Sequence, residues 1–234
     1  GLRKLRSRDG RVHTTFDQTA AVTGRISALE PNLQNIPIRT EEGREIRRAF
    51  VAKEGHILLD ADYSQIELRV LAHLSGDGAM CDAFRRNQDI HTRTAAEIHG
   101  VSMEEVTPAM RRAAKATNFG IVYGISGFGL ARNAGLSRKE ADQFIQTYFQ
   151  RYPGVRAFMD ECVRLGNETG YAQTMHGRRR ELYELRSSNR NVRNFGERAA
   201  MNTPVQGTAA DIIKLAMVKV SQRLRDEGYQ ARLI

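Results

Sequence analysis

The chain has 234 residues, with 36 Lys and Arg against 27 Asp and Glu, giving a formal net charge of +9 at pH 7. Its 41% hydrophobic and 27% charged content excludes a disordered chain, its apolar runs of only a few residues exclude a membrane span, and the basic start Gly1-Leu2-Arg3-Lys4 lacks the apolar stretch of a signal peptide. Two cysteines, Cys81 and Cys162, exclude a disulfide scaffold and a Cys-based zinc site and fit a reducing compartment.

The length suits one large or two small domains that need no covalent staple. The positive charge points to polyanions: nucleic acid, nucleotide phosphates or an anionic membrane surface. The alternative is a basic soluble surface with no such partner. Aromatic residues make up 7% and Trp is absent, which argues against a platform of many stacking rings.

In chain order, residues 1–20 are basic and polar, and Asp9-Gly10 marks a turn between two short segments of a hairpin. Residues 21–40 read as extended chain and turns. From Ile46 to Asp62 two strands are expected, Ala49–Val51 and His56–Asp62, separated at Gly55. Helical spacing follows over residues 64–75, with Ser64 as N-cap and Glu67 completing a capping box. Helices are then expected over Asp89–Gly100, from Thr107-Pro108 to about Tyr123, from the capping box Ser137–Glu140 to about Arg151, and from Pro153 to Thr169. Tyr171–Leu185 reads as a hairpin turning at His176-Gly177. Two helices close the pattern, Asn194–Gln206 and Gly207–Arg225, interrupted at Pro204. The first residue is Gly, and Tyr229–Ile234 reads as the opening of a strand. The sequence is therefore expected to be a piece of a longer chain.

Four constellations carry chemistry. The run Asp62-Tyr-Ser-Gln-Ile-Glu-Leu-Arg69 begins with a carboxylate at a strand end. Hard cations prefer such oxygens, and Asp60 would share its strand face; both residues equally suit a strand terminus beside a turn. Arg111, Lys115, Phe119 and Tyr123 recur at intervals of four on one helix face, as two cations followed by two rings. They suit a polyphosphate and a sugar or base, or else a solvated face followed by core aromatics. The amide-rich stretch Pro31–Pro37, following Thr23-Gly-Arg25, suits phosphate and base edges, or is an ordinary polar loop. Arg198, Asn202 and Gln206 share another helix face, which reaches a nucleic-acid groove or is simply solvated. No phosphate loop of the G-x-x-x-x-G-K-[ST] type, no dinucleotide fingerprint and no H-E-x-x-H occurs.

In this order and nearly letter for letter, these segments resemble the signatures of family A DNA polymerases across essentially the whole chain. The resemblance implies an α+β fold: a partial palm of antiparallel sheet and helices at 1–75 and 196–234, enclosing a mainly helical fingers subdomain at 76–195. It implies that Asp62 is a catalytic metal ligand, with the Tyr63 carbonyl as a second oxygen, in a site for two Mg²⁺ ions. Arg111 and Lys115 resemble the catalytic triphosphate clamp. Gln65, Glu67, His91, Phe119 and Tyr123 complete the dNTP site, with Glu67 as the gate against a ribose 2′-OH. Arg25, Asn32, Gln34, Arg198, Asn202 and Gln206 resemble DNA contacts. The implied partners are primer–template DNA and dNTP, with no membrane, for a monomer in the bacterial cytoplasm at the nucleoid.

The family's third signature, His-Asp-Glu, would follow just after Ile234 and is not in the sequence. The family does not use the position of Asp60 for metal. The 234 residues alone are therefore expected to be inactive or nearly so. The reading from another class is a nucleic-acid-binding module without catalysis.

Overall fold

Several helix boundaries in this chain follow its capping residues. The computed structural model describes residues 2–37 and 40–234, which divide after Ser64 into two units.

In the first unit the turn at Asp9-Gly10 forms, closed by Ser7 N–H to Arg11 O at 2.8 Å and by a single bridge between Arg6 and Val12. Strands β1 (Thr15–Asp17) and β2 (Ser27–Leu29) pair antiparallel, Phe16 opposite Ala28. Helix α1 (Glu41–Arg47) begins where the Thr40 hydroxyl accepts from Gly43 N–H at 3.1 Å, an N-cap that the sequence reading overlooked. Neither strand expected at Ala49–Val51 and His56–Asp62 is present. Isolated extended chain is not stable without a partner to satisfy its N–H and C=O groups, and no described segment pairs with this one. Ile57 and Leu59 are each 89% exposed.

The second unit is nearly all helical: α2 (Ile66–Ser75), α3 (Gly78–Arg85), α4 (Ile90–His99), α5 (Pro108–Val122), α6 (Gly127–Ala134), α7 (Arg138–Arg151), α8 (Pro153–Thr169) and α9 (Arg190–Asp226). Helix α4 starts at Asp89, whose Oδ1 accepts from His91 N–H at 2.9 Å, and stops at Gly100 in the left-handed region. Helix α5 starts at Thr107 with Pro108 in its first turn, and α7 at the Ser137–Glu140 capping box. Strands β3 (Tyr171–Gln173) and β4 (Arg179–Glu181) form the expected hairpin. Leu68, Leu71, Met80, Ile90, Val122, Tyr152 and Val205 are buried in one core that joins α2, α3, α4, α5, α8 and α9.

Three local expectations fail here. The N-cap of α2 is Gln65, at φ 55°, and it makes no side-chain cap, so the helix begins one residue later than a cap at Ser64 would set it. Pro204 does not divide the last helix, since α9 runs unbroken for 37 residues. An internal proline costs about 3 kcal/mol in an isolated helix, but Thr203–Asp211 is buried throughout against α2, α8 and β3, and that burial outweighs one lost bond. Tyr229–Ile234 is not a strand.

Candidate functional site

The i, i+4 stripe on α5 is the helix's open face. Ala114, Thr117, Asn118, Ile121 and Val122 are buried, whereas Arg111 and Phe119 are half-buried and Lys115 and Tyr123 exposed. Helical spacing thus delivers two cations and two rings to one accessible surface.

Neighbouring helices bring further expected residues to that stripe. From α2, Glu67 is 7% exposed, and its Oε2 accepts from the Tyr123 hydroxyl at 3.2 Å. From α4, His91 places its ring 5.7 Å from that of Phe119, centroid to centroid. Its neighbour Asp89 receives Arg111 through Nε at 2.8 Å and Nη2 at 2.7 Å. Burial pulls the Asp89 carboxyl upward, but hydrogen bonds from Arg111 and from the His91 and Thr92 amides outweigh it and hold the group below the usual carboxylate range. Burial, aided by the charges of Arg111 and Lys115 and opposed by Asp89, pushes the His91 imidazole down to about 4. His91 is therefore neutral near pH 7.

From α9, Arg198 lies beside the end of α5. A Cβ at Gly124 would stand 2.8 Å from Arg198 Cγ and 2.9 Å from Met201 Cε, and φ at Gly124 is +63°. Only glycine suits both that backbone and that approach. Along α9, exposure falls from Arg198 through half-buried Asn202 to Gln206, which is 7% exposed. The Oδ1 of Asn202 is buried with no partner, a deficit of about 1–3 kcal/mol that a bound donor would relieve.

Within the first unit, the strand expected to carry Asp60 and Asp62 is absent. Asp60, Asp62 and Tyr63 lie on exposed, irregular chain, so no shared strand face aligns the two carboxylates and neither carries a burial penalty. The Asn32 and Gln34 side chains serve their own loop. Asn32 Oδ1 caps Gln34 N–H at 3.1 Å, and Gln34 bridges Ala28 N–H at 3.1 Å and Ile26 O at 3.2 Å. Arg25 is exposed. Among the described residues no group of three or more His, Cys, Asp or Glu side chains could hold a metal ion. Asp62 and the Tyr63 carbonyl are hard oxygen donors of the kind Mg²⁺ takes, but two such donors do not by themselves make a metal site. No helix of the described residues is long and apolar enough to cross a membrane.

Sequence reasoning missed three partners. Asp89 holds Arg111 and Asn118 holds His91. Asp211 on α9 accepts from Thr174 Oγ1 at 2.7 Å and from Arg178 at 2.9 and 2.7 Å, locking the β3–β4 turn to α9. For two of them the signal was available: Asn118 and Asp211 are polar residues at positions where the helical period demands burial.

The sequence matches DNA polymerase family A over residues 1–234. It is 58% identical over 226 residues to DNA polymerase I of Geobacillus stearothermophilus, covering 96% of this chain and 26% of that one. It is 53% identical to DNA polymerase I of Bacillus subtilis (strain 168), covering 100% and 27% respectively. The fold matches the POL domain of Pol1 from M. smegmatis, solved in complex with DNA primer–template and dNTP, at TM-score 0.92 and 50% identity over 99% of this chain and 41% of that one. The chain thus spans about a quarter of the length of these curated relatives. A match that runs its whole length settles the family: the chain belongs to DNA polymerase family A.

Proposed function

We propose that this chain carries the nucleotide-binding face, part of the metal site and part of the DNA-binding surface of a DNA-directed DNA polymerase. It would work as a monomer on primer–template DNA and dNTP, in replication and repair, in the bacterial cytoplasm at the nucleoid. Residues 1–75 and 196–234 would belong to its palm and residues 76–195 to its fingers. The observation that carries the reading is the gathering of Arg111, Lys115, Phe119 and Tyr123 on one accessible face of α5, with the buried Glu67 and His91 in contact with its two rings.

In this reading the primer 3′-OH attacks the α-phosphorus of the dNTP. A new P–O bond forms as the α–β bridging bond breaks, the hydroxyl proton passes to water, and pyrophosphate leaves. Arg111 and Lys115 neutralise the triphosphate and the developing charge on the leaving group. To do so, Arg111 exchanges Asp89 for phosphate. Phe119 and Tyr123 bound the sugar beside Gln65. Glu67, held by the Tyr123 hydroxyl, fills the space a 2′-OH would need, so a ribonucleotide meets a buried carboxylate rather than a vacancy. Arg198, Asn202 and Gln206, with Arg25, Asn32 and Gln34, read the primer–template. Inward movement of α5 over a correct pair would complete the site.

Family A DNA polymerases are metal-dependent. Asp62 and the Tyr63 carbonyl would contribute oxygens to two Mg²⁺ ions, which supply charge neutralisation and a template for in-line displacement. Asp60 is given no metal role. Because the described residues hold one part of the metal site only, the 234-residue chain alone is expected to turn over negligibly. That same observation supports the second reading, a nucleic-acid-binding module without catalysis. Two measurements test the assignment: primer extension by the full-length protein, and primer–template binding by this chain across a salt series. Extension that is abolished by Arg111→Ala supports a polymerase. Steep salt-dependent binding with no extension by the full-length protein supports the binding module. Absence of both refutes each.

A further inference from the structure

Asn118 lies one position before Phe119 on α5, faces away from the stripe and is fully buried. Its Nδ2 stands 3.0 Å from His91 Nδ1 and 3.2 Å from Thr94 Oγ1. Thr94 Oγ1 stands 3.3 Å from Asn118 Oδ1 and 3.3 Å from the Tyr152 hydroxyl. Thr94 and Tyr152 are fully buried as well, so the amide is enclosed, and it turns its Nδ2 to His91 while Thr94 Oγ1 reaches both of its ends.

An amide NH₂ group only donates. The His91 nitrogen it meets must therefore accept, and the single proton of a neutral imidazole then resides on Nε2. The Phe119 ring, tilted 38° to that of His91, restricts rotation of the imidazole on its other side. The choice of tautomer has a consequence at an anion site. A neutral imidazole that turns an N–H toward a phosphate oxygen attracts it, whereas one that turns a lone pair toward it repels it. Asp89, Arg111 and Lys115 are the charged groups around this ring, and none of them selects between its two nitrogens by hydrogen bonding.

We propose that Asn118 is a positioning residue that holds His91 in the Nε2–H tautomer, so that the imidazole offers a fixed N–H donor to a nucleotide phosphate. The donor role rests on the assignment of His91 to the nucleotide face; the tautomer does not.

The test is side-chain ¹⁵N NMR of the 234-residue chain labelled at histidine. At pH 7.5, His91 is expected to show an unprotonated-type resonance at Nδ1 and a protonated-type resonance at Nε2. The reverse pattern, or averaged signals from exchanging tautomers, overturns the proposal without need of a variant. Asn118→Asp replaces the donor with an acceptor of nearly the same shape. It is expected to move the proton to Nδ1 and to shift the His91 titration midpoint upward; an unchanged pattern in a folded variant also overturns the proposal. Addition of primer–template and dATP, at concentrations where the Phe119 ring signals move, should shift the Nε2–H proton. If Phe119 responds and the Nε2–H does not, the phosphate contact is refuted while the tautomer assignment stands.

Discussion

Neutral His91 makes this fold acid-sensitive by an amount that follows from its surroundings. An imidazole in the unfolded chain titrates at 6.5 and the folded one at about 4. Below pH 6.5 the unfolded state therefore binds a proton that the folded state refuses. Stability is complete above that value and is lost as pH falls toward 4. Applying the linkage relation to one such group gives a loss of about 2 kcal/mol between pH 7 and pH 5, and about 3 kcal/mol at the acid limit. The depressed carboxyl of Asp89 has the same sign, but its stabilisation is lost only below the ordinary value of 3.8, outside this window. The comparison is urea unfolding of the wild-type chain and His91→Gln at pH 7 and pH 5, followed by far-UV circular dichroism because the chain has no Trp. With a urea slope of about 2–3 kcal/mol/M, the wild-type midpoint should fall by roughly 0.7–1 M more than that of the variant. Parallel midpoints in the two proteins would show that His91 is not held neutral by burial, and the electrostatic account of the site would be wrong.

Four further outcomes are expected. In the full-length protein, Asp62→Ala should reduce primer extension by roughly 10³-fold with little change in DNA affinity by fluorescence anisotropy; retained turnover would remove its metal role. Glu67→Ala should raise ribonucleotide incorporation relative to deoxyribonucleotide by roughly 10- to 100-fold in single-nucleotide extension assays, and unchanged sugar selectivity would dismiss the gate. Phe119→Tyr should raise the ratio of dideoxy- to deoxynucleotide incorporation by roughly tenfold, read from chain-termination products. Asp211→Ala leaves the Thr174 hydroxyl and Arg178 without their acceptor. Because Arg178 keeps partial access to water, the cost should be about 2–3 kcal/mol in chemical denaturation, and a change below about 0.5 kcal/mol would show that the β3–β4 turn is held by packing alone.

Much of the helical layout and of the residue stripe on α5 was legible in the residues. Asp89, Thr107, Ser137 and Gly100 set helix ends through groups within a few positions of themselves, and such caps act the same way in most surroundings. The stripe Arg111, Lys115, Phe119, Tyr123 was visible for the same reason: helical geometry alone puts residues four apart on one face. What failed depended on distant partners. The run His56–Asp62 has strand-like residues, but a strand exists only with a partner to bond, and no described segment supplies one. Pro204 marks a break by local rules, yet the packing of α9 against α2, α8 and β3 carries the helix through it. By itself, the sequence determined the ends of α4, α5, α7 and α8, the stripe and the family. Tertiary structure alone decided that Asp89 restrains Arg111, that Asn118 faces His91 and that Glu67 meets the Tyr123 hydroxyl. Those pairs are separated by 22, 27 and 56 residues, and no local propensity encodes a contact between side chains that only packing brings together.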